Sequence, residues 1–239
     1  LFSNLIIRCV EPTTIQVPDG TASAISLFRI TYKSNISIID PGHMLTLDGN
    51  RANRAEDDSE NGMNIRINGG VNIFIEVGLC QNAHGDGVYI GGANSLGQDY
   101  TENISIPFID CYNSYRNGIS IISAKNLDGG YWRLRSSNGI SQNGLDFEPN
   151  YDYNRLENIN INTVYTHNNS NDGVQSSFNN IAFTNKGTVT INNIISEDNA
   201  GAGLSFNASY DDKVNINIGT VRVIKNTEQG VYFRGAEQN

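Results

Sequence analysis

The chain has 239 residues, of which 38% are hydrophobic and 17% are charged, and Asn, Ser, Thr and 24 Gly supply much of the rest. These polar and small residues are poor helix formers, which argues against a helical protein, while the regular recurrence of Ile and Val argues against disorder. The net charge of −9 disfavours a general nucleic-acid-binding protein, and no apolar run approaches the length of a membrane span.

The first predicted strands are residues 35–40 ("NISIID") and 45–50 ("LTLDGN"). From residue 61 onward, a small or polar residue, a Gly and an apolar–x–apolar triplet recur seven times. The successive spacings of 25, 31, 26, 29, 30 and 27 separate Gly62, Gly87, Gly118, Gly144, Gly173, Gly203 and Gly230. A second strand segment falls within most periods, at residues 71–76, 102–109, 157–162, 188–194 and 213–219.

Two further columns keep register with the Gly. Five residues before it stand mostly Asn or Asp, which predicts a stack of hydrogen-bonded side chains. Seven residues before it stand mostly small residues, including Cys80 and Cys111, which we expect to be buried packing residues without a redox role. The Gly itself is expected where the chain turns tightly with positive φ. This pattern indicates coils of short strands that stack at ~4.8 Å, as in a parallel β-helix.

We therefore predict one all-β domain over residues 1–239, a single-stranded parallel β-helix (solenoid) of about 8 coils. The chain begins abruptly at "LFSNLIIRCV" and stops at "GVYFRGAEQN", within what reads as a strand. We expect a fragment of a longer chain, truncated at one or both ends.

Three segments carry a family resemblance: residues 84–92 ("HGDGVYIGG"), 116–127 ("RNGISIISAKNL") and 143–150 ("NGLDFEPN"). In this order and spacing they resemble the parallel β-helix repeat proteins of the pectin-lyase-like superfold, best over residues 34–200. That group includes polysaccharide lyases, glycoside hydrolases, uronate epimerases and bacteriophage tailspikes or appendages. The resemblance implies a right-handed helix, a polysaccharide or cell-wall glycan as partner, an extracellular or virion-surface location, and a homotrimer.

Strand alternation predicts which side chains leave the core on one long face. The first predicted outward column is Asn64, Tyr89, Ser120, Asp146, Gln175, Ser205 and Tyr232. The second is Arg66, Gly91, Ile122, Glu148, Ser177, Asn207 and Arg234. An extended face of this kind suits a linear polysaccharide, with Tyr89 stacking on a sugar ring and Ser120 and Gln175 bonding hydroxyl groups.

Asp146 and Glu148 are the first candidate catalytic pair. Residues i and i+2 of a strand are roughly 6.6 Å apart at Cα, which permits both the retaining and the inverting arrangement of glycosidase carboxyl groups. Like charges at this range raise one pKa, as a general acid requires. The alternative is a solvated pair, or one bonded to neighbouring backbone.

Asp86 and Asp172 precede their glycines, so their side chains either bond the turn backbone or supply a further catalytic carboxylate or a calcium ligand. We expect no cofactor, with calcium left open, and we interpret the acidic run at 55–60 as a solvated or rim loop. His84, Arg116 and Tyr89 form a candidate lyase set of base and cation, although a lone His at a turn is more often a surface residue. Trp132 is expected to cap an edge or line a rim.

Several functions fit these observations. The first is a glycoside hydrolase that uses Asp146, Glu148 and Asp86, and the second is a lyase of pectate-lyase type that uses His84, Tyr89 or Arg116. The third is a non-catalytic glycan-binding appendage or adhesin, and a purely structural solenoid is the fourth. The acidic balance disfavours a strongly anionic substrate and so favours the hydrolase or the binding protein over the lyase.

Overall fold

The computed structural model describes residues 2–22, 24–54, 61–92, 99–139, 142–178, 184, 186–207 and 213–234; the acidic run at 55–60 lies outside them. The described residues form a 3-10 helix at Arg51–Asn53 and eighteen strands: β1 Leu5–Arg8, β2 Thr13–Gln16, β3 Phe28–Thr31, β4 Ser34–Ile39, β5 Leu45–Asp48, β6 Ile65–Asn68, β7 Val71–Gln81, β8 Val88–Gly91, β9 Thr101–Tyr112, β10 Ile119–Ile121, β11 Ala124–Arg135, β12 Leu145–Phe147, β13 Leu156–His167, β14 Val174–Ser177, β15 Gly187–Glu197, β16 Leu204–Asn207, β17 Val214–Ile224 and β18 Val231–Arg234. Within these ranges no helix is long and apolar enough to cross a membrane.

The strands form two parallel sheets that extend along the axis of the solenoid. The long-strand sheet runs β1-β4-β7-β9-β11-β13-β15-β17, with β2 and β5 added at one side, and the short-strand sheet runs β18-β16-β14-β12-β10-β8-β6-β3. Strand neighbours in each sheet come from successive coils, which makes about seven turns of a solenoid. The predicted all-β parallel β-helix is confirmed, and the predicted number of coils is close.

The core is the column of apolar side chains between the two sheets. In β13 and β15, for example, Ile159 pairs with Val189 and Ile161 with Ile191, and all four side chains are buried. Each buried aliphatic side chain of this size stabilises the fold by about 1.5–3 kcal/mol. The free thiols of Cys80 and Cys111 lie opposite each other in β7 and β9, fully buried, as expected of packing residues.

Trp132 lies inside this core, so the prediction that it caps an edge or lines a rim is wrong. It has no exposed surface, and its Nε1 donates a hydrogen bond of 2.8 Å to the carbonyl oxygen of Ile106. Gly129 makes the room, because a Cβ there would stand 2.6 Å from Cζ2 of the indole. The ring therefore occupies the space that an ordinary side chain fills in other coils.

The glycine column is explained by close approach of neighbouring coils, and the predicted positive φ is wrong. Among the described glycines, positive φ occurs at Gly20 and Gly69, outside the column. In Gly87, Gly118 and the three glycines that follow, an added Cβ would stand 2.5 to 2.7 Å from the carbonyl oxygen of the next glycine in the stack. No side chain fits at that distance, so the backbone itself selects Gly.

Asparagine takes the left-handed positions instead. The predicted column contains Asn82 and Asn113, both with positive φ, and Asn113 Nδ2 donates to Asn82 Oδ1 at 2.7 Å. In the next coil Ser136 has the positive φ, and it stands eight residues before Gly144 rather than five. A second, exposed ladder joins side-chain amides at 2.8 to 3.0 Å, with φ between 52° and 58°, through Asn4, Asn35, Asn72, Asn103, Asn126 and Asn158.

Candidate functional site

The short-strand sheet places the candidate residues in one vertical column. Backbone pairing sets Tyr89, Ser120, Asp146 and Gln175 at the same level of β8, β10, β12 and β14, as predicted, followed by Ser205 and Tyr232. Glu148 follows β12 directly. The sequence pattern therefore identified the correct register for these coils.

The first coil departs from the predicted register by two residues. Arg66, not Asn64, pairs with Tyr89, and Asn68 pairs with Gly91. The side chain of Asn64 is fully buried, and its Nδ2 donates to the carbonyl oxygens of Leu47 and Gln81. These inward bonds explain why Asn64 is not part of the outward column.

Ser120 and Asp146 leave the core as predicted, but they are not exposed. Their exposed fractions are 1% and 3%. Asn117 Nδ2 donates to Ser120 Oγ at 3.0 Å and to Asp146 Oδ2 at 3.3 Å, and Asn143 Nδ2 donates to Asp146 Oδ2 at 3.4 Å. The amides of the neighbouring turns therefore cover this part of the face, so the expectation of an open polar column is wrong here.

The residues before the glycines form a ladder from side chain to backbone. Asp86 Oδ1 accepts from the backbone N–H of Asn117 at 3.0 Å, and Asn117 Oδ1 accepts from that of Asn143 at 2.9 Å. In the next two coils Asn143 Oδ1 accepts from the backbone N–H of Asp172 at 3.1 Å, and Asp172 Oδ1 accepts from that of Ala202 at 2.7 Å. Asp86 and Asp172 thus hold the turns, one of the two roles that the sequence left open.

Asp86 is also a titrating group of the site. It has no exposed surface, and its Oδ2 lies 4.0 Å from Nη1 of Arg116. Burial raises the pKa of Asp86 to about 6, against the opposing attraction of the Arg116 guanidinium, and the nearby Glu148 raises it further. A buried carboxyl with one distant cation holds its proton more tightly than one in water.

Glu148 is the carboxylate that solvent reaches. Its side chain is 31% exposed, and its Oε2 lies 3.5 Å from Nη2 of Arg116. Burial raises the pKa of Asp146 well above its ordinary value, and the charges of Glu148 and Asp86 act in the same direction. Three carboxyl groups thus share one guanidinium, so the cluster favours at least one bound proton.

Tyr89 borders the cluster on its other side. The guanidinium of Arg66 lies 5.5 Å from the centre of the Tyr89 ring, and the ring lies over Gly91, where a Cβ would stand 2.7 Å from Cε1. Burial raises the pKa of the phenol. Gln175, one coil above Asp146, accepts a hydrogen bond from Nδ2 of Asn143.

His84 lies at the start of the turn that carries Asp86. Its ring centre is 5.8 Å from that of Tyr115, and its backbone N–H donates to the carbonyl oxygen of Gly62 at 3.0 Å. Arg116 pairs with the carboxylates of Asp86 and Glu148. The three residues of the predicted lyase set therefore do not form one group. His84 contacts an aromatic ring, whereas Arg116 belongs to the carboxylate cluster and Tyr89 borders it.

We define the carboxylate cluster as Asp86, Arg116, Asp146 and Glu148. Sequence reasoning missed Asn117 and Asn143, which orient it. It placed Arg66 in the second outward column but did not predict its contact with the Tyr89 ring. The signal was present for the two asparagines, since both stand in the column that contains Asp86 and Asp172. In the described ranges, no group of three or more His, Cys, Asp or Glu side chains is arranged to hold a metal ion.

Comparisons with known proteins add little to this geometry. No family model and no curated protein matches the sequence. A solved structure, that of the Streptococcus pneumoniae surface protein and adhesin PfbA, aligns with 97% of this chain and 67% of its own at 12% identity, with a TM-score of 0.45. At this level of similarity the neighbour carries no argument about function.

Proposed function

We propose that the protein is a glycoside hydrolase that acts on a cell-surface or cell-wall polysaccharide along the short-strand face, outside the cell. The observation that carries the proposal is the carboxylate cluster, in which a buried carboxyl with a raised pKa stands two residues from a partly exposed carboxylate. A glycosidase needs a carboxyl group that holds its proton close to a second carboxyl group.

In this proposal Asp146 is the general acid. Its raised pKa keeps a proton available to a higher pH than in an ordinary Asp. Glu148, the more exposed residue, is the base or nucleophile, and Arg116 holds its carboxylate. Asp86 fixes the turn that carries Arg116, since its Oδ1 bonds the N–H of the following residue, and it adds negative charge that favours the proton on Asp146.

Asp146 must become accessible to the glycosidic oxygen for this role. Its contacts with Asn117 and Asn143, at 3.3 and 3.4 Å, are longer than strong hydrogen bonds. Exchanging two such contacts for a hydrogen bond from the protonated carboxyl to a sugar oxygen costs little, because both of the bonds that are lost are weak. Tyr89, Ser120 and Gln175 would then lie above and below the reacting sugar.

A non-catalytic glycan-binding role is the second candidate. The cover of amides over Asp146 and Ser120 favours it, since Asn117 and Asn143 bond Ser120 Oγ and Asp146 Oδ2 without a ligand. Such a protein would bind a glycan through Tyr89, Arg116 and Glu148 and leave it intact.

The experiment is a screen of bacterial and plant polysaccharides that follows both new reducing ends and absorbance at the wavelength of unsaturated uronates. New reducing ends without new absorbance are the expected result. New absorbance would replace the hydrolase with a lyase, for which Arg116 and Tyr89 are the available cation and base. Binding without cleavage of any polymer would favour the second candidate.

A further inference from the structure

The turn that follows the carboxylate cluster is built rigidly. Asn154 is 3% exposed, and its Oδ1 accepts from the backbone N–H groups of Asn150 and Tyr151, both at 2.9 Å. The backbone N–H of Asn154 returns to the carbonyl oxygen of Tyr151 at 3.0 Å. The conformation of this turn is therefore set by one buried amide.

The next coil holds the same turn from the other side. The carbonyl oxygen of Asp152 accepts two hydrogen bonds from Thr184, one from its backbone N–H at 2.8 Å and one from its Oγ1 at 3.1 Å. A turn tied both within itself and to its neighbour keeps its side chains in place before any ligand arrives. Such preorganisation lowers the entropy cost of binding.

Two aromatic rings stand on this turn. The ring centres of Tyr151 and Tyr153 are 5.0 Å apart, with 14° between their planes, and Tyr151 is 56% exposed. Burial in the core does not explain Tyr151, because more than half of its surface faces solvent. A rigid aromatic pair with one exposed and one half-buried ring presents ring face and edge for a further planar or apolar partner.

The pair lies close to the carboxylate cluster. Tyr151 follows Glu148 by three residues, and a chain of three residues spans at most about 11 Å. An oligosaccharide whose one unit lies over Glu148 therefore reaches Tyr151 with another. No charge on the ligand is required, because the C–H face of a pyranose packs against an aromatic ring as an apolar surface.

We propose that Tyr151 and Tyr153 form a sugar-stacking subsite, which binds a pyranose ring of the same polysaccharide that the carboxylate cluster acts on. The inference rests on the proposed function for the identity of the ligand, but it concerns binding and not cleavage. It assigns affinity to the tyrosines and leaves bond breaking to Asp146 and Glu148.

The test measures binding of the whole chain to a panel of immobilised bacterial and plant polysaccharides. Tyr151→Ala is expected to bind the recognised polymer about five- to tenfold more weakly, whereas Tyr151→Phe stays close to wild type because stacking needs the ring and not the hydroxyl. Tyr131→Ala is the matched control. That tyrosine is 40% exposed and also stacks on an aromatic ring, Phe108, but lies on the long-strand sheet. Equal melting temperatures of the variants exclude a folding defect.

Three results would overturn the subsite: unchanged binding by Tyr151→Ala, equal weakening by Tyr151→Phe, or no polymer of the panel bound by the wild type. The variant Glu148→Gln tests the hydrolase proposal separately. Binding that depends on Tyr151, without cleavage by the wild type, would sustain the subsite and end the hydrolase. Cleavage that depends on Glu148, with unchanged binding and KM in Tyr151→Ala, would sustain the hydrolase and end the subsite.

Discussion

Asp86 and Arg116 lie on adjacent coils, with 4.0 Å between Oδ2 and Nη1, yet the carboxyl holds its proton to a higher pH than an ordinary Asp. Burial is the larger effect, because Asp86 has no exposed surface and its Oδ2 has no hydrogen-bond partner within the described structure. The guanidinium also serves Glu148, so its attraction is divided. Burial therefore outweighs the ion pair with Arg116, and the Asp86 carboxyl keeps its proton to a higher pH than it would in water.

The first prediction concerns stability and pH. The pKa of Asp86 rises from 3.8 to about 6 on folding, so the folded state binds the proton more tightly than the unfolded one. The resulting stabilisation is complete below pH 3.8 and is lost as the pH rises through 6, a change on the order of 3 kcal/mol. Asp86→Asn does not titrate, so the stability of wild type relative to this variant is expected to fall by most of that amount between pH 4 and 8.

Urea unfolding at a series of pH values measures this difference. Asp128→Asn, which changes an exposed carboxyl on the long-strand sheet, is the control and should follow the wild-type curve. A constant difference between wild type and Asp86→Asn across this range would show that Asp86 titrates as an ordinary carboxyl.

The second prediction concerns the exposed asparagine ladder. Asn103 has a φ of 57°, donates to Asn72 and accepts from Asn126, both at 3.0 Å. Asn103→Ala is expected to destabilise the protein by about 1–3 kcal/mol, since it loses both bonds and leaves in the left-handed region a residue without the polar side chain that lets Asn adopt it. Asn103→Gly should cost less, because only the bonds are lost. Equal unfolding midpoints for the two variants would contradict the role of the backbone conformation.

The third prediction concerns the packing of Trp132. A Cβ at Gly129 would stand 2.6 Å from Cζ2 and 2.9 Å from Cε2 of the buried indole. Gly129→Ala is therefore expected to destabilise by about 1–3 kcal/mol through overpacking. The same change in a Trp132→Phe background should cost less, since the smaller ring leaves space, and a double-mutant cycle measures the coupling. Additive effects would mean that the two residues do not compete for this volume.

The coil pattern was predictable because every coil must solve the same steric problem. Ile and Val fill the interior, Asn takes the left-handed turn, and Gly stands where carbonyl groups of neighbouring coils approach. The cause of the Gly column was not predictable, because a sequence shows that a side chain is absent but not which atom excludes it. Position 64 shows the same limit. Asn64 stands where later coils have the Gly, and its side-chain amide turns inward.

The direction in which the candidate side chains leave the core was predictable, but their covering by neighbouring side chains was not. Alternation along β12 correctly sends Asp146 out of the core, yet Asn117 and Asn143 from two turns close over it. Such cover depends on side-chain conformations of adjacent coils, which a single strand pattern does not contain. The burial of Trp132 was likewise not predictable, because the glycine that makes room for its ring in the core stands three positions away.

The most direct test of the account is the rate of reducing-end release from the polysaccharide that the wild type degrades fastest, compared among Glu148→Gln, Asp146→Asn and the control Asp128→Asn. We expect a loss of about 10²–10⁴-fold in the first two variants, as when an acid or base is removed, and an unchanged rate in the control. Wild-type rates in Glu148→Gln and Asp146→Asn would contradict it, and the carboxylate cluster would then be a structural feature of the β-helix.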